Sequence, residues 1–128
     1  MQKLTEVVRS KPDLHRHFGE LRRNETGADV AFVVRGKSFP THRAVLASRS
    51  PVFMAELFGG MEEEALKLIE IKGMELMAFE VLLHFVYTDT ATELDGGDED
   101  EAAASMAQHV FVGADRYGLD RLKLICEG

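Results

Sequence analysis

Asp29, His42, Ser48 and Ser50 lie within one short stretch, and an acid, a base and a hydroxyl are the ingredients of acyl transfer. Their surroundings argue against that chemistry. A nucleophilic serine on a strand-to-helix elbow needs the pattern G-x-S-x-G, and neither serine has it. Ser50 stands directly before Pro51, which is a helix start: a hydroxyl N-cap followed by proline at the first helical position. Metal ligation fares no better. His15 and His17 are two apart and point to different faces of a helix, with no cysteine or further histidine beside them. His84 and His109 are isolated on helical segments. The acidic residues 95–101 lack the alternation of a calcium loop, and Gly96-Gly97 lacks the G-K-[ST] of a phosphate cradle. Cys126 falls on an inward helical stripe and reads as inert packing. No catalytic residue, metal or cofactor is expected, and the chain is not expected to be an enzyme.

The elements that carry these residues follow from spacing. Ser10-Lys11-Pro12-Asp13 reads as a helix start, with Ser10 as N-cap and Pro12 in the first turn. Leu14, Phe18 and Leu21 then recur on one helical stripe. Residues 30–34 are a continuous apolar run rich in valine, which predicts a strand buried on both faces. Arg35-Gly36-Lys37 is the turn, and Ser38-Phe39-Pro40 returns as a short strand that proline confines to an edge. Thr41 caps a short helix over 42–47, and a second helix follows Ser50, with Phe53 and Leu57 on its inner side and Gly59-Gly60 at its end. Residues 61–65 form an acidic loop, and 66–71 have strand character. Residues 75–87 predict an amphipathic helix with the stripe Phe79, Leu82, Leu83 and Val86. A solvated acidic loop separates it from a helix over 103–117, closed by Gly118, and a last short helix over 119–126. Early strands and late helices predict a mixed α+β fold: about three strands flanked by five to six helices.

Bulk properties bound the function. A chain of 128 residues is one domain, and 45% apolar content suits a packed core rather than disorder. The net charge of −7 disfavours nucleic acid and anionic membranes as partners, since both need a basic face. A single cysteine cannot form an internal disulfide, which points to a reducing compartment. No apolar run approaches spanning length, and the first twenty residues hold no signal-peptide core. The nucleus, the cytoplasm or both is the expected location.

Residues 28–58, ADVAFVVRGKSFPTHRAVLASRSPVFMAELF, resemble the signature segment of the BTB/POZ domain, a protein-interaction fold. Phe85-Val86-Tyr87-Thr88 and the segment from Ala114 to Glu127 are similar to later parts of the same family. The similarity covers residues 13–127 and leaves 1–12 as a leader or linker. It is nearest to the BTB domains of the MATH-BTB adaptors, especially their plant branch. Within that family the positions of Asp29 and His42 are structural, at a strand start and a helix start.

The resemblance implies a homodimer formed through the first helix, here Leu14, Phe18 and Leu21, joined by Val45 from the second. It also implies docking onto a cullin-3-type ubiquitin-ligase scaffold, through a hydrophobic residue, any residue and glutamate after the third helix. Met61-Glu62-Glu63 fits that pattern, and Tyr87 is a further candidate for the same surface. Met61 and Glu63 otherwise read as a solvated acidic loop, and Leu14, Phe18 and Leu21 as an ordinary core stripe. Substrate would be held by a separate domain, since no MATH domain lies in this chain. The alternative is an oligomerisation scaffold, as in a transcriptional regulator, without cullin binding.

Overall fold

The computed structural model describes residues 10–59, 68–94 and 101–128. The expectations for residues 1–9, the loop that carries Met61 and Glu63, and most of the acidic 95–101 segment lie outside the described residues. The elements, in order, are α1 (Leu14–Asn24), β1 (Val30–Val34), β2 (Lys37–Thr41), α2 (Arg43–Arg49), α3 (Pro51–Phe58), β3 (Leu68–Ile71), α4 (Leu76–Thr88), a 3₁₀ turn (Thr92–Leu94), α5 (Glu101–Arg116) and α6 (Asp120–Glu127).

The valine-rich run forms the central strand of a three-stranded sheet ordered β2-β1-β3. β1 pairs antiparallel with β2 and parallel with β3. Arg35 (φ 50°) and Gly36 (φ 82°) make a two-residue turn with both angles positive, which sets Val34 opposite Lys37. Pro40 lies on the edge strand β2, where its missing N–H costs no ladder bond. The expectation that β1 is buried on both faces needs correcting. Val30, Phe32 and Val34 are buried, whereas Ala31 and Val33 are half-buried. Phe32 and its in-phase neighbours face the aromatic core, so alternation returns.

A run of aromatic rings joins the layers. Phe39 meets Phe79 at 5.2 Å between centroids, Phe79 meets Phe32 at 5.9 Å, and Phe32 meets Phe53 at 5.4 Å. Phe53 then stacks on Tyr117 at 4.2 Å. Each such pair adds about 0.5–1.5 kcal/mol beyond its buried area. Helix α4 sits at the centre of the domain. Val81, Phe85 and Tyr87 are buried as well as the expected stripe, so it is buried on nearly every side rather than amphipathic. It packs against α1, α2 and α5, which leaves little of its surface to water.

Two helix starts also differ from expectation. Helix α1 begins at Leu14 with Asp13 as its N-cap residue, later than Ser10 and Pro12 suggest. The Asp13 carbonyl accepts from the amides of Arg16 and His17, and its carboxylate pairs with both side chains. Thr41 does not cap α2; its hydroxyl donates to the Val30 carbonyl, within the sheet. The Asp29 carboxylate caps α2 from outside, accepting from the Arg43 amide at 2.8 Å. Gly118 (φ 67°) closes α5 as expected: its amide bonds the Asp115 carbonyl and that of Leu119 bonds Ala114, a Schellman pattern.

Candidate protein-interaction site

Helix α1 buries one residue, Gly19, and lies across the last turn of α4. A β-carbon at Gly19 would stand 3.2 Å from Thr88 Cγ2, so this close approach suits glycine. Two large apolar side chains of α1 face elsewhere. Leu14 is 63% exposed and Phe18 38%. Both line a groove of about 310 Å³ whose floor is Val45 from α2 with Val86 and Tyr87 from α4. Three of the four residues expected at a self-association face therefore converge. The fourth, Leu21, is half-buried against the core instead.

Tyr87 is buried (2% exposed), and its hydroxyl works inside the chain. It accepts from the His42 amide at 3.0 Å and lies 2.7 Å from His42 Nδ1. The other ring nitrogen, Nε2, is 2.7 Å from the Thr26 carbonyl, which can only accept. In the neutral ring the proton therefore sits on Nε2, and the Tyr87 hydroxyl donates to Nδ1. Burial pushes the Tyr87 phenol up to about 12, against smaller opposing effects of the His42 amide and Arg22. The hydroxyl thereby holds the start of α2 against α4, and Tyr87 presents little exposed surface to a docking partner.

The opposite end of α2 is tied to the same turn of α4. Arg49 Nε donates to the Val86 carbonyl at 3.1 Å, and Nη2 donates to the Asp89 carboxylate at 2.6 Å. The guanidinium lies 5.1 Å over the Phe85 ring. Arg121 from α6 also reaches Asp89, bonding its backbone carbonyl at 2.7 Å. Sequence reasoning missed Arg49, because a capping arginine leaves no mark on hydrophobic periodicity.

A second apolar patch lies on α3. Met54 (51% exposed) and Phe58 (39%) stand one turn apart, out of phase with the buried Phe53 and Leu57. That phase difference was available in the sequence and marks an outward apolar edge. Met61 and Glu63, which follow in the sequence, lie outside the described residues.

The residues that suggested acyl transfer serve the backbone. Ser50 Oγ accepts from the Phe53 amide at 3.0 Å and donates to the Tyr117 carbonyl at 2.6 Å. Both nitrogens of His42 are engaged by Thr26 and Tyr87. Ser48 donates to the carbonyl of Val45. Among the described residues no three acidic, histidine or cysteine side chains gather in a way that could hold a metal ion. No helix among them is long and apolar enough to cross a membrane.

The profile of the BTB/POZ domain matches residues 18–128. The chain is 40% identical over 123 residues to BTB/POZ and MATH domain-containing protein 4 of Arabidopsis thaliana, a match covering 90% of this chain and 26% of that protein. It is 39% identical over 110 residues to TD and POZ domain-containing protein 3 of Mus musculus, covering 86% of this chain and 28% of that one. The chain thus spans about a quarter of the length of these relatives. Among solved structures, the BTB domain of zebrafish PATZ1 has the same fold, with a TM-score of 0.70 over 99% of this chain and 93% of that chain at 20% identity. With its three-stranded sheet, its enclosing helices and these likenesses, the chain belongs to the BTB/POZ domain family, whose α+β fold is a protein-interaction module.

Proposed function

We propose that the chain homodimerises through the α1 groove and docks onto a cullin-3-type scaffold as the ligase-facing part of a substrate adaptor. In this reading residues 13–127 are the interaction domain, residues 1–12 are a linker, and a separate domain holds the substrate. The protein acts in the nucleus, the cytoplasm or both, and its mechanism is proximity: no residue here forms or breaks a covalent bond.

The observation that carries the scaffold contact is the outward edge of Met54 and Phe58, a few residues before Met61 and Glu63 in the sequence. Apolar anchors within a rim of contacts that exclude water are how interface hot spots are built. The likeness to plant BTB/POZ and MATH relatives supports the same assignment. For self-association, the support is a protruding apolar helix edge beside an apolar groove. Such a patch is self-complementary under a two-fold axis, so each copy can fill the other's groove. Leu14 and Phe18 from two copies, already partly buried, would return roughly 3–6 kcal/mol on full burial. That meets only the low end of an association cost of about 4–15 kcal/mol, so Val45 and the groove floor must contribute too.

One set of proteins tests both contacts. The unmodified chain should bind a purified cullin-3 N-terminal domain and show a dimer mass by light scattering. Met61→Ala with Glu63→Lys should abolish cullin binding and leave the mass unchanged. Leu14→Asp with Phe18→Asp should halve the mass. Binding that survives the Met61 and Glu63 changes removes that segment from the contact. An unmodified chain that dimerises but never binds cullin is an oligomerisation scaffold instead.

A further inference from the structure

The groove beside α1 has two walls that do not hold themselves in place. One is α2, seven residues long, which is too short to be stable alone. The other is the C-terminal turn of α4, whose last carbonyls have no partner within the helix. We infer that His42 and Arg49 are positioning residues that staple these walls together and preset the groove for a second copy; the inference rests on the self-association reading above.

The staples sit at the two ends of α2. His42, its N-cap residue, is held twice by the Tyr87 hydroxyl, through its backbone amide and through Nδ1. Arg49, its last residue, reaches the Val86 carbonyl and the Asp89 carboxylate. All four contacts go to the last turn of α4 or to its C-cap residue, Asp89. Val45 lies between the staples, so its distance from Val86 and Tyr87 is fixed before any partner arrives. A receptor that is already ordered avoids the ordering cost of binding. The fork geometry of arginine matters here: one planar group serves a carbonyl and a carboxylate at once, which lysine cannot do. Arg121 supplies a control. It touches the same Asp89 from α6 but does not line the groove.

The test uses the full chain, with self-association measured by a sedimentation dilution series and local opening by amide hydrogen exchange. Arg49→Gln should accelerate exchange in residues 86–89 and weaken self-association, each by about tenfold or more, the loss expected for a charge-assisted hydrogen bond. Exchange in β1 should not change. Arg49→Lys should fail to restore association, although it keeps the charge. Arg121→Gln should leave association within about twofold of the unmodified chain, since α2 stays attached. Tyr87→Phe, which removes the other staple and keeps the ring, should reproduce the Arg49→Gln pattern and stands in should that variant not fold. Full rescue by lysine, or an equal loss in Arg121→Gln, would mean that charge rather than positioning is at work and would overturn the inference. So would an Arg49→Gln chain that exchanges and associates normally. An unmodified chain that stays single at every concentration defeats the dimer reading; the exchange comparison then still decides whether the staple exists.

Discussion

Replacing Ser50 with alanine should be among the most damaging single-atom deletions in this domain. The hydroxyl is buried and makes two bonds: it accepts from the Phe53 amide at 3.0 Å and donates to the Tyr117 carbonyl at 2.6 Å. Losing the first removes the N-cap of α3, which costs about 1 kcal/mol. Losing the second strands a buried carbonyl at the end of α5, which adds about 1–3 kcal/mol. The sum is roughly 2–4 kcal/mol, or a fall in melting temperature on the order of 10 °C for a domain of this size. Urea unfolding of Ser50→Ala against the unmodified chain measures it directly, and the m-value should not change. Ser50→Thr keeps the hydroxyl and should recover the larger part of the loss. Two outcomes would refute the reasoning: an alanine variant within about 0.5 kcal/mol of the unmodified chain, or a threonine variant as damaged as alanine. The first would mean that water replaces the hydroxyl, and the second that crowding rather than hydrogen bonding governs the site.

Two further outcomes follow from the same structure. Gly118→Ala should cost about 1–2 kcal/mol, because φ is 67° and the new methyl would stand 3.3 Å from Pro51 Cγ; thermal melting reads it, and an unchanged midpoint would show that the α5 end can relax. Tyr87 and Tyr117 are the two tyrosines of the chain, and burial pushes both phenols up to about 12. A folded value above the unfolded one stabilises below pH ~10, and that stability is lost as pH rises from ~10 to ~12, on the order of 2 kcal/mol per ring. Tyrosinate absorbance in the folded chain should therefore lag behind that of the urea-unfolded chain, and coincident curves would contradict the burial argument.

The sequence was most legible where one residue type has one local use. The apolar valine run, the positive-φ turn, the Ser50-Pro51 start and the Gly118 stop each depend on neighbours close along the chain, and all four stand where expected. What could not be read depends on distant partners. Asp29 caps α2 from across the hairpin, so Thr41, the nearer hydroxyl, looked like the better cap. Helix α4 showed an amphipathic stripe because periodicity records one favoured face, while three helices packed around it bury the others. The site divided in the same way. Leu14 and Phe18, singled out by helical phase and resemblance, and Val45, by resemblance alone, line one groove. Arg49 could not be singled out, since its carbonyl partners carry no residue identity. The bonding of the Tyr87 hydroxyl could not be read either, because a polar tip suggests a surface, whereas here the tip meets a buried histidine.

The parallel pairing of β1 with β3 bears on how the chain emerges from the ribosome. β2 closes on β1 through a two-residue turn as soon as both are outside the exit tunnel. β3 ends at Ile71, some 37 residues after Val34, so at about 5–20 residues per second it arrives roughly 2–7 s later. During that interval one whole edge of a valine-rich strand, with Phe32 at its middle, has no neighbour. A nascent chain in that condition is a natural client for holding chaperones, and slowing translation across residues 35–70 should lengthen its exposure to aggregation.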